Sequence, residues 1–293
     1  MTPRSPALLC LVTLALGGGE IRAEDLADVA WVLSGPHHPS TLIIDTSSDA
    51  RGTRGLGGEL DLGLDSGAHL LLFGSRVDVP ASEGNLDTSR GGAGFHTDRL
   101  DAVHGGLAAE QWGAQDEILV RRLKGSLEWE SRAWNVALTP EVGQVFFYSR
   151  TFLFGRREVE ADMRGRGAAA TYRGLGPWTL GASTVRYQYS RDLTRLNLPL
   201  AQTVFSARSI AQSTALLDRT TSGRLQYDFS RLALGLDHTS SVLAVTRAQV
   251  RTNTLRIGLH PTRDLAVTPE FGQTTTGGGT ATAYAAVRFA ISW

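Results

Sequence analysis

The sequence predicts an all-β fold, a transmembrane antiparallel up-and-down β-barrel of about twelve strands, within a range of about ten to fourteen. Three observations support this prediction. Apolar residues recur with a period of two, short connections alternate with long ones, and the chain ends in an amphipathic strand, "TATAYAAVRFAISW", instead of a polar tail. Because an open sheet edge in lipid leaves backbone groups unpaired, the last strand is expected to pair with the first.

The composition excludes two classes of protein. The chain has 293 residues with 42% hydrophobic residues and a mean hydropathy of −0.10, and it has no run of about 20 apolar residues, so a bundle of membrane helices is excluded. The formal net charge is 0, with no concentrated basic patch. A nucleic-acid partner is therefore not expected.

The first 23 residues have the pattern of a secretory signal peptide. Arg4 supplies the positive start, "ALLCLVTLAL" at 7–16 the apolar stretch, and Ala23 the cleavage position. Cys10, the one cysteine, lies inside this segment. The mature protein is therefore expected to have no thiol or disulfide chemistry.

Residues 24–39 are predicted to form an N-terminal periplasmic segment and residues 40–293 the barrel. Alternation is clear in "GRLQYDFS", where Leu225, Tyr227 and Phe229 alternate with polar residues. The predicted strands lie near 40–48, 55–64, 68–77, 126–138, 141–149, 158–173, 177–191, 221–229, 231–240, 250–260, 264–273 and 280–293.

The connections between these strands are of two kinds. Short turns are expected at sites such as "TPE" (139–141), "RGLGP" (173–177) and "HPTRD" (260–264). The longest connection, 78–117, is expected either to fold into the lumen or to form an external loop. Short turns on one side and long loops on the other are typical of an outer-membrane barrel.

A soluble β-sandwich also alternates apolar and polar residues, so the choice depends on what each face carries. The apolar face has many alanines and aromatic residues, and the opposite face has charges of both signs, which favours a barrel with a wet lumen. The predicted lumen-lining residues are Glu59, Asp61, Glu128, Glu130, Arg132, Glu160, Arg224, Asp228, Arg256, Glu270 and Arg288. The aromatic residues expected at the membrane interfaces are Trp129, Trp134, Phe147, Tyr148, Trp178, Tyr187, Tyr189, Tyr227, Phe229 and Trp293.

The ending "VRFAISW" resembles the C-terminal signal by which the outer-membrane assembly machinery recognises its clients, with Val287, Phe289, Ile291 and Trp293 as its alternating apolar residues. This resemblance implies the outer membrane of a Gram-negative bacterium. Outer-membrane lipid, lipopolysaccharide and the assembly machinery are then the expected partners.

The segment "LGLDHTSS" (234–241) resembles the His-x-Ser segment of outer-membrane phospholipase A and the lipid A deacylases. That resemblance implies His238 as general base, Ser240 as nucleophile and Asn253 as the residue that orients the histidine. The strand phase places all three side chains toward lipid, where a lipid hydrolase needs them.

Other chemistry finds no support in the sequence. The lysine Lys124 is followed by Gly125, which excludes a phosphate-binding loop of the Lys-Ser/Thr type. The pair His37 and His38 is more typical of a polar linker than of a zinc site. We therefore expect no cofactor and no metal.

Three functions remain open. The first is a narrow pore or export channel with a charged lumen and weak ion selectivity. The second is a serine lipid hydrolase that uses His238, Ser240 and Asn253. The third is a structural barrel for a secretion or polysaccharide-export partner.

Overall fold

The computed structural model folds the described residues into one closed all-β barrel, which confirms the predicted antiparallel β-barrel. It describes residues 40–64, 68–80, 86–97, 102–114, 117–151, 155–197, 215–277 and 279–293. The predicted signal peptide and the segment 24–39 lie outside these residues. No helix among the described residues is long and apolar enough to cross a membrane.

Fourteen strands and one short 3-10 helix (Leu193–Asn197) make up the described part of the chain. The strands are β1 Thr41–Asp49, β2 Arg54–Gly63, β3 Ala68–Val79, β4 Leu86–Thr97, β5 Val103–Ala114, β6 Ile118–Glu130, β7 Trp134–Thr151, β8 Gly155–Leu175, β9 Trp178–Tyr189, β10 Leu217–Asp228, β11 Leu232–Leu243, β12 Gln249–Leu259, β13 Leu265–Thr276 and β14 Thr282–Ser292. Each strand pairs antiparallel with the next along the chain.

The barrel closes between β1 and β14. Their register runs from Thr41 opposite Ser292 to Asp49 opposite Tyr284. Beyond the last paired residue, the Trp293 amide donates a hydrogen bond of 3.0 Å to the Ser40 carbonyl. The C-terminal strand therefore has no free edge, as the cost of unpaired backbone in lipid requires.

The prediction of about twelve strands is wrong by two. The missing strands are β4 and β5, which lie in the 78–117 segment that was expected to be a connection. Their outward positions include Gly91, Ala93, Gly105 and Ala109, so the large alternating apolar residues that identify a strand are few here.

The turn predicted at "TPE" does not exist. β7 runs straight through it, and the turn lies instead at 131–133, inside the predicted strand 126–138. Pro140 only interrupts the pairing with β6, which stops at Glu141 and resumes at Leu138 without a change of register. Proline lacks an amide hydrogen, so it removes ladder bonds locally while the strand continues.

Aromatic rings on the inner face cover glycines on neighbouring strands. A Cβ atom at Gly92 would collide with the Phe73 ring, one at Gly272 with the Tyr284 ring, and one at Gly165 would lie 2.9 Å from the Tyr187 ring. Each ring thus occupies the space that a side chain on the adjacent strand would fill. The glycines of these strands serve packing, which sequence alternation alone does not reveal.

An apolar belt surrounds the outside of the barrel near the end that carries Ser40 and Trp293, here called the terminal end. We call this part of the barrel the belt section. Its outward, exposed residues include Leu56, Leu70, Leu72, Phe95, Leu107, Leu123, Leu127, Leu138, Val142, Leu180, Leu225, Leu234, Leu236, Leu255, Phe271, Phe289 and Ile291.

Aromatic residues form a girdle at the terminal edge of this belt. Trp134 packs on Tyr172 with ring centroids 4.7 Å apart, and Tyr227 contacts both Trp178 and Phe229 at 4.7 and 4.6 Å. Trp129 and Trp293 are exposed on the same outer face. An aromatic girdle beside an apolar belt is the arrangement of barrels that cross a membrane.

Beyond the belt the strands continue with a polar outer face, and we call this part the projecting section. On β8 the outward residues change from Tyr172 and Ala170 in the belt section to Arg166, Arg164 and Asp162 in the projecting section. The barrel wall is therefore taller than its apolar belt.

Three of the aromatic residues predicted for the interfaces lie inside the barrel instead. Phe147 and Tyr187 are only 2% and 4% exposed, and Tyr189 packs against the same interior cluster. They belong to the projecting section, where the outer face is polar and the interior is apolar.

Candidate functional site in the barrel interior

Charged side chains of both signs occupy inward positions of the strands. Among the predicted lumen residues, nine stand at inward positions of their strands: Glu59, Asp61, Glu128, Glu130, Arg224, Asp228, Arg256, Glu270 and Arg288. Asp228, the last residue of β10, is exposed at the terminal end.

Two predicted lumen residues have other positions. Arg132 lies in the β6–β7 turn, and Glu160 is exposed on the outer face of β8, where it accepts a hydrogen bond from Gln144. On both sides of Glu160 the inward residues are apolar, Val159 and Ala161. The charge is outside because this part of β8 belongs to the projecting section.

The most buried charges form what we call the Glu110 cluster, on β4 to β7 and β9. The Glu110 carboxylate lies 2.6 Å from Arg122, 2.8 Å from Lys124 and 3.1 Å from Arg90, and it has no exposed surface. Arg122 also reaches Glu141 at 3.4 Å, and the Tyr187 hydroxyl donates to the same carboxylate at 3.4 Å.

The strand registers explain the Glu110 cluster. Arg122 and Lys124 are two residues apart on β6, so both point inward; Arg122 faces Glu110 on β5, and Lys124 faces Glu141 on β7. Sequence reasoning missed the cluster because it placed Glu110 in a connection and Glu141 in a turn. The alternation of Arg122 and Lys124 was the available signal.

A second network, the Asp237 cluster, lies on β10 to β13. Asp237 contacts Arg224 at 2.6 Å and Arg256 at 3.0 Å, and Arg256 also lies 3.4 Å from Glu270. Arg224 stands directly opposite Asp237, and Arg256 directly opposite Glu270. Three of the four residues were predicted for the lumen; Asp237 was missed, although it directly follows Leu236, which points outward.

An apolar cluster fills the interior next to the Glu110 cluster, in the projecting section. It combines inward residues of β5 to β9 with residues from the loops: Trp112, Ile118, Val120, Val145, Phe147, Ala161, Met163, Tyr187, Leu193, Leu216, Ala244 and Val245. Leu193 comes from the 3-10 helix, and Leu216 precedes β10. Parts of the β9–β10 and β11–β12 connections therefore fold into the barrel.

Acidic and histidine side chains meet near the terminal end. Asp61 lies 3.0 Å from His69 and 3.5 Å from His96, and the two imidazole rings stack with centroids 4.5 Å apart. On the next two strands His104 contacts Glu128 at 3.0 Å. Asp61 and Glu128 were predicted to line the lumen, but no histidine partner was predicted for either.

The residues of the hydrolase hypothesis lie on the outer face, at the edge of the belt that is farther from the terminal end. His238 Nδ1 lies 2.8 Å from Asn253 Oδ1, because the two residues are directly opposite each other on β11 and β12. The Ser240 hydroxyl accepts a hydrogen bond of 2.8 Å from Gln249. The structure thus joins the histidine to the asparagine and gives the serine another partner.

The two ion-pair networks differ in charge. The Glu110 cluster has three cations, Arg90, Arg122 and Lys124, against two carboxylates, whereas the Asp237 cluster has two of each. Buried charges that compensate one another leave little net field along a channel. The arrangement can fix the wall and filter solutes by size and polarity, but it favours neither ion sign strongly.

No protein-family model and no curated protein sequence matches this chain. Solved structures with some likeness include two porins. The NanC porin has a TM-score of 0.48 at 9% identity, over 86% of this chain and 100% of that one. The KdgM porin in complex with oligogalacturonate has a TM-score of 0.41 at 8% identity, over 86% and 99%. OpdK of Pseudomonas aeruginosa with vanillate has a TM-score of 0.43 at 10% identity, over 87% and 98%.

Proposed function

We propose that this protein is an integral barrel of the bacterial outer membrane and forms a narrow channel for small polar solutes. The observation that carries the proposal is the distribution of side chains in the belt section, with large apolar residues outside and paired charges inside. A soluble barrel keeps its apolar residues inside. A barrel in lipid reverses this order, and the charged interior then needs water.

The interior is crowded on one side. The Glu110 cluster and the apolar cluster both involve the inner faces of β5 to β9 and are almost completely buried. The Asp237 cluster lies on the opposite wall, and its carboxylates keep a small exposure, 7% for Asp237 and 8% for Glu270, against 0% for Glu110 and 1% for Glu141. This supports a constricted path that runs along the Asp237 cluster. Leu193 and Leu216 narrow this path at the end of the barrel opposite the terminal end.

Single-channel recording on the refolded protein in a planar bilayer tests the proposal. We expect discrete openings of small conductance from the wild type. The double substitution Leu193→Ser with Leu216→Ser should increase the conductance by about twofold or more, because it loosens the segments that occupy the interior. Arg195→Ser, an exposed residue in the same 3-10 helix, is the matched control and should leave the conductance unchanged.

One result would contradict the channel, and another would contradict the assignment of Leu193 and Leu216 to its constriction. One is the absence of openings from both the wild type and the double variant, although both migrate as folded barrels. The other is an equal conductance change for Arg195→Ser and the leucine variant, which would show that these leucines do not line the constriction.

A lipid hydrolase is the second candidate, and the hydrogen bond between His238 and Asn253 is the observation in its favour. For catalysis the Ser240 hydroxyl must leave Gln249 and reach His238. Phospholipid and lipid A hydrolysis should then be lost in Ser240→Ala, with Ser241→Ala, an inward neighbour, as control. Equal activity of the wild type and Ser240→Ala excludes this nucleophile.

The assembly signal at the C-terminus stays a prediction. Trp293→Ala should reduce insertion into the outer membrane more than Trp178→Ala, since both side chains are exposed in the girdle but only Trp293 ends the chain. The amount of heat-modifiable barrel in isolated membranes measures this difference. Equal loss of inserted barrel in both variants would show that Trp293 contributes no more to insertion than another girdle residue does.

A further inference from the structure

Three adjacent strands bring together one carboxylate and two imidazoles on the inner face near the terminal end. His69 on β3 stands directly opposite His96 on β4, and Asp61 lies on β2, two residues before the position that faces His69. Antiparallel pairing makes such diagonal neighbours reach one another. Residues separated by up to 35 positions in the sequence thus form one cluster, which we call the Asp61 cluster.

The spacing of the potential ligand atoms fits a small metal ion. Asp61 Oδ1 lies 3.0 Å from His69 Nδ1, and Asp61 Oδ2 lies 3.5 Å from His96 Nε2. One ligand atom from each residue lies within 4.8 Å of the others. Ligands at about 2.0–2.2 Å from a tetrahedral Zn²⁺ stand about 3.3–3.6 Å apart, so small side-chain movements suffice.

The cluster also contains buried polar atoms that lack hydrogen bonds. The side chains of Asp61 and His69 are each 3% exposed, and that of His96 is 17% exposed. Asp61 Oδ2 and His96 Nε2 are buried and make no hydrogen bond. Buried polar atoms almost always have partners, and because these two atoms face each other at 3.5 Å, one cation bound between them would give both a partner.

We propose that Asp61, His69 and His96 bind a divalent transition-metal ion of the Zn²⁺ type. Two imidazole nitrogens and one carboxylate suit Zn²⁺, Co²⁺ and related ions, whereas Ca²⁺ and Mg²⁺ prefer oxygen ligands. The ion would link β2, β3 and β4 and would keep one coordination position for water or a solute. The partial exposure of His96 provides the entry path from the interior.

This site is independent of the proposed channel. It uses the wall next to the girdle, whereas the constriction is attributed to the opposite end of the barrel. A protein without channel activity can therefore still bind the ion, and a conducting protein can fail to bind it.

Metal titration of the refolded, chelator-treated full chain tests the proposal. We expect one Co²⁺ per chain with the visible absorption bands of a four- or five-coordinate site, and displacement by one Zn²⁺. His96→Ala should weaken Co²⁺ binding by at least about tenfold, as expected when a ligand is lost. His238→Ala removes a histidine from the outer face and should bind Co²⁺ like the wild type.

A second measurement covers variants that fold poorly. Zn²⁺ should raise the unfolding temperature of the wild type and of His238→Ala. It should not raise that of His96→Ala or His96→Gln, which change the least buried residue of the Asp61 cluster. A third variant, Asp61→Asn, also removes a ligand. If it fails to refold, the two His96 variants still test the metal site. Wild-type protein that takes up no stoichiometric Co²⁺, or binds it equally well after His96→Ala, would overturn the site.

Discussion

The belt section and the projecting section are parts of the same strands, yet they distribute side chains in opposite ways. In the belt section apolar residues such as Leu138 are outside and charged residues such as Glu128 are inside. In the projecting section of β5 to β9, Gln144 and Glu160 are exposed outside, whereas Val145 is completely buried inside. The phase of alternation does not change between the two sections.

The proposed membrane location explains this difference, because the solvent around the wall determines which kind of residue belongs on each face. Lipid against the outer face requires apolar side chains there and leaves the interior to charges. Water against the outer face restores the order of a soluble protein, with an apolar interior. One strand can satisfy both rules because it passes from one solvent to the other.

The largest expected effect tests the apolar interior of the projecting section. Val145→Asp places an unpaired charge at a position with no exposed surface, and we expect it to lower the free energy of unfolding by at least about 4 kcal/mol. Gln144→Asp, the exposed neighbour on the same strand, loses its hydrogen bond to Glu160 but gains a charge opposite Arg121, so it should cost at most about 1 kcal/mol. Urea unfolding of the refolded barrel in lipid vesicles, followed by tryptophan fluorescence, measures both.

A similar loss in both variants would break the comparison, because it would mean that the two faces of β7 have the same environment beyond the belt. Unchanged stability of Val145→Asp would show that the interior of the projecting section contains water.

The second effect concerns the charges inside the barrel. Glu110→Gln removes the anion that faces Arg90, Arg122 and Lys124, and we expect a loss of about 3 kcal/mol. Glu270→Gln should cost only about 1 kcal/mol, because Arg256 keeps Asp237 at 3.0 Å. The same urea titration applies. Equal losses would contradict the assignment of the Glu110 cluster as the more deeply buried network.

The third effect concerns the outer face. Leu138→Arg introduces a cation in the apolar belt and should cost about 2 kcal/mol in lipid vesicles, whereas Gln144→Arg, six residues along the same outward row, should cost almost nothing. The difference between the costs of these two substitutions should be smaller when the protein is unfolded from detergent micelles, which have a thin apolar shell. A cost that does not depend on the position along β7 would remove the boundary between the two sections.

Sequence reasoning was most successful where alternation is strong. The predicted strands near 55–64, 68–77, 250–260 and 280–293 each lie within about two residues of β2, β3, β12 and β14, because large apolar residues alternate with polar ones there. It was least successful in β4 and β5, where glycine and alanine replace the large residues. The sequence prediction also placed Glu160 inside the barrel. The segment "EVEADMR" (158–164) alternates as expected, but it lies in the projecting section, where the charged residues face outward.

The interior clusters required the pairing of strands that are distant in sequence. His69 meets His96 only because β4 exists, and Glu110 meets Arg122 only because β5 pairs with β6 in one register. No local pattern in the sequence reports these contacts. Asp237 had a local signal, because it directly follows the alternating outward-facing residues Leu234 and Leu236, and could have been found.

The sequence by itself determined an all-β chain, the alternation phase of the best-formed strands and the amphipathic character of the strand that became β14. These properties follow from side-chain chemistry with a period of two, which is local. The tertiary structure decided the number of strands, the register, the partners of each charge and the height at which the outer face changes from apolar to polar. Those properties depend on which strands become neighbours, and neighbours are set by closure of the whole barrel rather than by any single segment.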